Sequence, residues 1–313
     1  MRVSDKPIDL LTYGDPNLDL VFAVERAPRA DEKKLGRRLG RFGGGTSSNV
    51  GCAAARLGLA VAAYGRVGDD ADGHFLIEDF RRFGVSTDRI RIVPDQSSST
   101  AMIMVEPSGE KALMYVPMPG TLIDPSTLGA TLAQSRAVYA TPYDLDELSV
   151  LSRLARQLGT MVALDMEDAA SPDHQRLEAI LPHADLVFFN EHVFQAASGM
   201  APSLENMQRL LERGPHTLVV TLGAAGARAV TREEKAEQAA FTAAVVDTTG
   251  AGDCFAGAFL AALQDGEALR LRLRFACAAA SLSVSAIGAR SALPDRAMIA
   301  QVLNRAFDTT ATR

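Results

Sequence analysis

The chain has 313 residues, of which 47% are hydrophobic and 22% are charged, and its formal net charge is −6. This length and composition predict one large globular domain spanning residues 1–313, and they exclude a disordered or collagen-like chain. Because Lys and Arg are scattered along an acidic chain, the sequence gives no basic surface for nucleic acid, and we expect no such partner.

The first residues predict a cytoplasmic protein. A single short apolar run ends at Gly14-Asp15-Pro16, which is typical of neither a signal peptide nor a membrane-spanning helix, so no membrane partner is expected. Three widely spaced cysteines, at positions 52, 254 and 277, indicate reduced thiols rather than a disulfide framework or a zinc site.

The chain alternates short apolar strands with helix-length segments. A buried strand is predicted at residues 8–13, an Ala-rich helix at 50–59, a strand at 61–64, a helix at 74–83, further strands at 137–140, 161–164, 186–189 and 218–222, and helices at 145–158 and 204–212. Strands that are apolar on both faces belong in a parallel sheet covered by helices on both sides. The sequence therefore predicts an α/β fold.

Two stretches, within about residues 17–42 and 97–118, depart from this rhythm. They alternate apolar with polar residues, and the second contains the turn sequence Pro107-Ser108-Gly109-Glu110. We interpret them as antiparallel strands outside the main sheet that form a lid over the ligand crevice.

The segment DTTGAGD at residues 247–253 carries the strongest chemical signal. It leads directly into an apolar helix, and the N-terminus of a helix offers unpaired N–H groups and a partial positive charge to an anion. The carboxylate of Asp253 beside such an anion site could take a proton from an attacking hydroxyl. The alternative is a simple turn in which Asp253 only caps the helix. The chain contains neither a Walker loop nor a GxGxxG dinucleotide motif.

Three ordered segments resemble the ribokinase-like (phosphofructokinase-B) carbohydrate kinases: DTTGAGD at residues 247–253, GGTSSN at 44–49 and GRVGDD at 65–70. The resemblance extends over nearly the whole chain. It implies a three-layer sandwich with a central, mostly parallel sheet and a small β lid. It also implies an ATP-dependent kinase that phosphorylates a hydroxyl of a small carbohydrate and uses ATP and Mg²⁺.

The same resemblance implies roles for particular residues. Asp253 would be the catalytic base, and the backbone amides of Gly250, Ala251, Gly252 and Asp253 would form the anion hole. The residues that match sugar-binding positions are Asn17, Asp19, Gly44, Gly45 and Asn49. A carboxylate can accept hydrogen bonds from two hydroxyls at once, which suits a polyol.

For the nucleotide, the resemblance implies contacts from Asn190, Thr221, Gly223 and Gly226. Val193 stands where the family has a magnesium-organising Glu, so either Glu191 replaces that Glu or the ATP phosphates and water hold the magnesium. A potassium site is implied at Asp247, Thr249, Ala286 and Gly288.

The sequence leaves the substrate open among ribose, ketose and 2-keto-3-deoxygluconate types, although Thr141 stands where ribokinase has a pocket Glu, which disfavours ribose itself. Residues 26–41 are rich in Arg and Lys, and these charges either meet an anionic substrate or solvate an exposed strand. A nucleoside kinase and a catalytically weak regulator that binds a sugar or nucleotide are the alternatives. A homodimer formed through the lid is also expected.

Overall fold

A computed structural model of the chain describes residues 6–167 and 173–308, in which two β-sheets are found. The larger, main sheet contains β1 (Ile8–Tyr13), β4 (Val61–Gly68), β5 (Ser86–Val93), β8 (Ser135–Ala140), β9 (Met161–Met166), β10 (Leu186–Asn190), β11 (Thr217–Thr221), β12 (Ala227–Thr231) and β13 (Lys235–Gln238). The small sheet contains β2 (Asn17–Val24), β3 (Gly36–Gly44), β6 (Ser99–Val105) and β7 (Lys111–Val116). The helices are α1 (Thr46–Arg56), α2 (Ala71–Arg82), α3 (Pro125–Leu132), α4 (Leu145–Gln157), α5 (His174–Ile180), α6 (Glu191–Ser198), α7 (Leu204–Leu211), α8 (Ala251–Gln264), α9 (Leu269–Ser283) and α10 (Arg296–Asp308).

The main sheet has the strand order β13-β12-β11-β10-β9-β8-β1-β4-β5. All neighbouring pairs from β11 to β5 are parallel, and the mostly parallel α/β sheet expected from the sequence is therefore confirmed. β12 and β13 extend the sheet at one edge as antiparallel strands.

The side chains of adjacent residues in each buried strand pack on opposite faces of the main sheet, because side chains alternate along a strand. Phe188 packs against Phe259 of α8, with ring centroids 5.6 Å apart, whereas Phe189 packs against Phe194 of α6 at 5.5 Å. The first face is covered by core residues from α1, α2, α8, α9 and α10, and the second by core residues from α3 to α7. The sheet is thus the middle of three layers, as expected.

The small sheet has the order β3-β2-β6-β7. The β2–β3 and β6–β7 pairs are antiparallel, but β2 and β6 are parallel, so the expectation of an all-antiparallel arrangement was wrong for that pair. β2 follows the end of β1, and β6 follows the end of β5. Because β1 and β5 both belong to the parallel part of the main sheet, they end at the same edge. The strands that follow them, β2 and β6, therefore leave that edge in the same direction and pair in parallel.

The sequence did not predict β5, β12 or β13. The burial pattern explains the first case, because Arg89 and Arg91 are exposed and Ile90 and Ile92 alternate with them. An edge strand of this kind has little of the continuous apolar character by which the central strands were identified.

Within the described residues, the helices are too short or too polar to cross a membrane. Residues 1–5, part of the segment on which the cytoplasmic expectation was based, lie outside the described residues.

Candidate functional site

The N-terminus of α8 lies at the carboxyl edge of the parallel strands and carries Asp253 in its first turn. Gly250 precedes the helix with φ 76°, in the left-handed region, and a Cβ at this position would lie 2.5 Å from the Cβ of Ala289. Only glycine fits both constraints without strain. The turn thereby aims the first amides of α8 and the side chain of Asp253 toward the same space.

The backbone N–H groups at the N-terminus of α8 differ in whether they have a hydrogen-bond acceptor. Ala251 donates its N–H to the carbonyl of Thr248 at 3.2 Å, whereas among the described residues no acceptor is found for the N–H groups of Gly250, Gly252 and Asp253. Helix N-termini characteristically leave such donors unpaired. These three amides and the helix dipole can therefore receive an anionic group.

Asp253 is held by a buried chain of hydrogen bonds. Asn49 of α1 donates from Nδ2 to Oδ2 of Asp253 at 2.7 Å, and Arg290 donates from Nε to Oδ1 of Asn49 at 2.8 Å. Arg290 is only 7% exposed, and its remaining nitrogens donate to the carbonyl of Gly44 at 2.8 Å and to Asp79 at 2.6 Å. The carboxylate of Asp253 is therefore held in place by Asn49, which is in turn held by the buried side chain of Arg290.

Arg290 was not among the residues identified from the sequence. A signal was available, because Arg290 is the single charged residue between positions 276 and 293, in a stretch of small and apolar residues. A lone charge in such a stretch must be paired when it is buried.

The electrostatics suit proton acceptance by Asp253. Burial raises its pKa to about 7, the negative charge of Glu167 adds to the rise, and the hydrogen bond from Asn49 opposes it. A general base works best when its pKa lies near the working pH. Asp253 therefore has a position and a pKa suited to removing a proton from a hydroxyl.

A second carboxylate, Asp19 on β2, points into the same space. Asn17 donates from Nδ2 to its Oδ1 at 2.6 Å, and a Cβ at Gly44 would come within 2.4 Å of the Asp19 oxygens. Burial raises the pKa of Asp19 to about 6, against the lowering effects of Asn17 and Arg290. Gly45, which begins α1, adjoins this group, since an added Cβ there would lie 3.1 Å from Oδ1 of Asn17. The residues matched to sugar-binding positions thus lie together.

The structure adds two acidic residues that the sequence analysis missed, Asp165 at the end of β9 and Glu167 just beyond it. Tyr139 donates its hydroxyl proton to Asp165 at 2.8 Å, and the hydroxyls of Thr46 and Tyr143 both donate to Glu167. Burial and the charges of Glu167 and Asp253 raise the pKa of Asp165 well above its usual value. Two carboxylates at the end of a buried parallel strand were a usable signal, because strand ends of this kind meet at the ligand crevice.

Three of the basic residues of positions 26–41 pair with acidic residues other than these carboxylates. Arg26 and Lys34 both pair with Glu32, and Arg41 pairs with Asp72 at 2.9 Å. Arg29, Lys33, Arg37 and Arg38 are exposed. The geometry agrees with charges that solvate an exposed segment.

A cavity of about 980 Å³ opens beside the N-terminus of α8. Its wall includes Asn190, Thr221, Gly223 and Gly226, the four residues matched to nucleotide positions, together with Ala251 and Gly252. Its size lies in the range of small-molecule sites. The proposed nucleotide residues and the anion-binding helix end therefore share one cavity.

The residues considered for magnesium lie at the start of α6. Asn190 accepts the N–H of Val193 at 2.8 Å and so caps this helix, while the side chain of Val193 is completely buried in the core. Glu191 is exposed on the cavity wall. Within the described residues, no group of three or more His, Cys, Asp or Glu side chains could hold a metal ion. These contacts fit a magnesium ion held by phosphates and water, with Glu191 as the nearby carboxylate.

The residues matched to a potassium site come from two segments, one before α8 and one after α9, that a hydrogen bond from Gly288 to Asp247 joins. Asp247 accepts hydrogen bonds from the N–H of Thr249 at 3.0 Å and from the N–H of Gly288 at 2.9 Å. Ala286 lies with Gly288 in the segment that follows α9. The side chain of Lys111, from the small sheet, also contacts Asp247, at 2.8 Å.

A second cavity, of about 410 Å³, lies at the opposite end of the main sheet. Its wall includes Met161, Leu186 and Thr217, the first residues of β9, β10 and β11. Because Asp253 lies at the carboxyl ends of the strands, this cavity is remote from the site.

Comparison with known proteins agrees with this geometry. The sequence profile described as pfkB family carbohydrate kinase matches residues 8–296. Ribokinase of Bacillus subtilis (strain 168) is 30% identical over 300 residues, which cover 95% of this chain and 99% of that protein. A nucleoside kinase of Methanothermobacter thermautotrophicus is 26% identical over 290 residues, covering 92% and 93% of the two chains.

Among solved structures, Arabidopsis thaliana ribokinase complexed with ribose and ATP superposes with a TM-score of 0.84 at 27% identity. The superposition covers 95% of this chain and 98% of that one. The profile match, the 30% identity over nearly the full length and the shared fold lead to one conclusion. The chain belongs to the pfkB family of carbohydrate kinases and is an ATP-dependent phosphotransferase.

Proposed function

We propose that this enzyme transfers the γ-phosphoryl group of ATP to a hydroxyl of a small neutral sugar, with Asp253 as the base. One observation carries the proposal: Asp253 stands at the N-terminus of α8, with the 980 Å³ cavity on one side and the carboxylate of Asp19 on the other. Asn49 belongs to the same hydrogen-bonded group, so the residues matched to sugar positions and the base form one site.

In this mechanism Asp19 and Asn17 orient the sugar by accepting and donating hydrogen bonds with its hydroxyls. Asp253 takes the proton of the attacking hydroxyl on a carboxylate oxygen as that hydroxyl oxygen bonds to the γ-phosphorus. The bond between the γ-phosphorus and the bridging oxygen breaks, and that oxygen leaves with ADP.

The amides of Gly250, Gly252 and Asp253 would stabilise charge on the transferred group, because no acceptor for them is found among the described residues. Asn190, Thr221, Gly223 and Gly226 would line the nucleotide. Magnesium on the ATP phosphates supplies charge neutralisation when bound, and Glu191 is the cavity carboxylate suited to orient its water ligands.

The charge of the site supports a neutral substrate over an anionic one. The negative charges of Glu167 and Asp253 raise the pKa of Asp165, and those of Glu167 and Asp19 raise the pKa of Asp253. The nearby cation Arg290 is already bonded to Asn49, Gly44 and Asp79. A sugar acid or sugar phosphate would bring a further negative charge into this group. Ribose-type and ketose-type substrates are therefore favoured over 2-keto-3-deoxygluconate.

A nucleoside is the second candidate. Tyr115 of the small sheet and Tyr143 after β8 are 45% and 53% exposed, and both lie close enough to Glu167 to be influenced by its charge. Half-exposed aromatic rings at a sugar site can stack on a base. The nucleoside kinase relative at 26% identity also supports this candidate.

The small sheet is proposed to act as a lid that closes over the sugar, because Asp19 belongs to it. Its opposite face exposes Met102, Met114 and Val116. The exposure of these apolar side chains supports the proposed homodimer, in which a second copy would bury this face. Sedimentation velocity of the wild type and of a Met114→Asp variant tests it: a dimer that becomes a monomer on substitution supports the proposal, and a monomeric wild type contradicts it.

The function is tested by ADP release from ATP with magnesium, across neutral sugars, sugar acids, sugar phosphates and nucleosides. Turnover on a neutral sugar is expected, and Asp253→Asn should lower kcat by roughly 10²–10⁴-fold, the range typical of a lost general base. Asp146→Asn, which makes the same change in the first turn of α4, is the matched control and should keep wild-type activity. Retention of a tenth or more of the activity by Asp253→Asn, or turnover on anionic sugars alone, would contradict the proposal.

A further inference from the structure

The small sheet places a lysine on the loop that leads into α8. Lys111 is the first residue of β7, and its Nζ donates to Oδ1 of Asp247 at 2.8 Å and to the hydroxyl oxygen of Thr249. The Lys111 and Asp247 side chains are 31% and 15% exposed, so the pair is partly shielded from water. Residues 247–249 immediately precede Gly250, the start of the anion-binding turn.

Both oxygens of Asp247 are already in use. Oδ1 accepts from the N–H of Thr249 at 3.0 Å and from its hydroxyl at 2.7 Å, as well as from Lys111. Oδ2 accepts from the N–H of Gly288 at 2.9 Å. The Lys111 ammonium lies against this carboxylate in a partly shielded position and balances its charge.

A potassium ion does not fit this loop while Lys111 is in place. The ion would need oxygen atoms of Asp247 and Thr249 that already contact the ammonium, and it would stand beside a like charge. Two neighbouring cations in a partly dry site repel each other more strongly than in water. The residues matched to a potassium site thus hold a side-chain cation of the protein itself.

We propose that the Lys111 ammonium takes the place of a monovalent cation, so that the enzyme works without potassium. Lys111 is a positioning residue: it fixes Asp247 and Thr249, and through them the turn at Gly250 whose amides receive the phosphoryl group. Its positive charge adds to the favourable potential at the N-terminus of α8. The proposal rests on the proposed function for its kinetic consequence, but its binding consequence is independent of it.

The kinetic test replaces KCl by choline chloride at constant ionic strength. The wild-type rate should change less than twofold. Lys111→Met should lose at least tenfold in choline chloride and regain part of that loss with KCl, because potassium can then occupy the freed oxygens. Lys111→Arg should stay independent of potassium. Lys33→Met, which removes an exposed lysine next to the same sheet, is the control and should match the wild type.

The binding test measures thermal unfolding in the same two salts without nucleotide or sugar. KCl should raise the melting temperature of Lys111→Met relative to choline chloride, and it should not raise that of the wild type or of Lys33→Met. The proposal is overturned if the wild type itself needs potassium, or if Lys111→Met is indifferent to potassium in both measurements. If the wild type phosphorylates nothing in the substrate panel, the proposed function fails while the melting temperatures still decide the role of Lys111.

Discussion

Arg290 reaches Asp253 only through Asn49, which accepts from the guanidinium at 2.8 Å and donates to the carboxylate at 2.7 Å. The amide of Asn49 cannot rotate without breaking both bonds, so the arginine fixes which atom of Asn49 faces Asp253. Its positive charge also lowers the pKa of Asp253 against the larger effect of burial. Arg290 thereby influences both the orientation and the ionisation of the Asp253 carboxyl group.

Replacement of Arg290 by Gln should therefore change the pH dependence as well as the rate. Loss of the positive charge raises the pKa of Asp253, so the acidic limb of the kcat profile should move to higher pH. The rate at the plateau should also fall, because Asn49 is no longer held. Arg82→Gln, at an exposed arginine of α2, is the control. If kcat at the plateau falls while the acidic limb of the kcat profile stays at the same pH, Arg290 acts only by holding Asn49 in place.

The pH profile of the wild type follows from two carboxyl groups. Since the pKa of Asp253 is about 7 and that of Asp19 about 6, log kcat/KM for the sugar should fall with a slope of one below the first value and steepen toward two below the second. Initial rates between pH 5 and 9 in buffers of constant ionic strength measure this. A flat profile down to pH 5 would refute ionised Asp253 as the base.

The raised pKa of Asp253 also predicts a stability effect. The ordinary value is 3.8 and the folded value about 7, so the folded state holds a proton that the unfolded state has lost between these pH values. The protonated carboxyl group of Asp253 therefore contributes its full share of the free energy of unfolding below pH 3.8, and this contribution is lost as the pH rises through about 7. Asp253→Asn should therefore raise the melting temperature more at pH 8 than at pH 4. Equal shifts at both pH values would argue against a buried, hard-to-ionise carboxyl group.

Two neighbouring glycines should respond differently to the same substitution. Gly250→Ala places a methyl group 2.5 Å from Ala289 at a positive φ, so it should destabilise the fold by about 1–3 kcal/mol. Gly252→Ala meets no atom within 4 Å, so its melting temperature should stay near that of the wild type. The new methyl group would occupy the cavity wall and lower kcat/KM for ATP. Denaturant unfolding together with kinetics separates the two effects, and a stable, fully active Gly250→Ala would contradict the assignment of the turn.

A buried ion pair anchors the base of the small sheet. Arg66 of β4 donates to Asp15 at 2.7 Å and to the carbonyls of Pro119 and Thr121 at 2.9 and 3.1 Å. Arg66→Ala removes the cation that pairs with the largely shielded side chain of Asp15 and leaves it only the hydrogen bond from the N–H of residue 66, which should reduce the free energy of unfolding by about 3 kcal/mol. Arg91→Ala, at the exposed neighbour on β5, should stay within about 0.5 kcal/mol of the wild type. Urea unfolding of both variants tests the difference.

The parts of the site that the sequence predicted are local in the chain. The turn and Asp253 at residues 247–253 are contiguous, and the parallel pairing of the central strands follows from the apolar character of those strands. Arg290, Glu167 and Lys111 were missed because their roles arise from packing between distant segments: Arg290 bonds to a residue 241 positions away, and Lys111 to one 136 positions away. At position 193 the sequence already departs from the family pattern by having Val in place of Glu, and the structure places this Val193 side chain in the core.

The bond between Asn49 and Asp253 joins residues 204 positions apart, and the one between Arg290 and Asn49 spans 241 positions. During synthesis the α1 half of the site thus emerges long before the α8 half, and Arg290, which fixes both, emerges later still. Until then Asn49 and Asp19 have no base beside them. A ribosome that stops early releases a polypeptide without a phosphoryl-transfer centre, so unfinished copies of this enzyme cannot consume ATP through it.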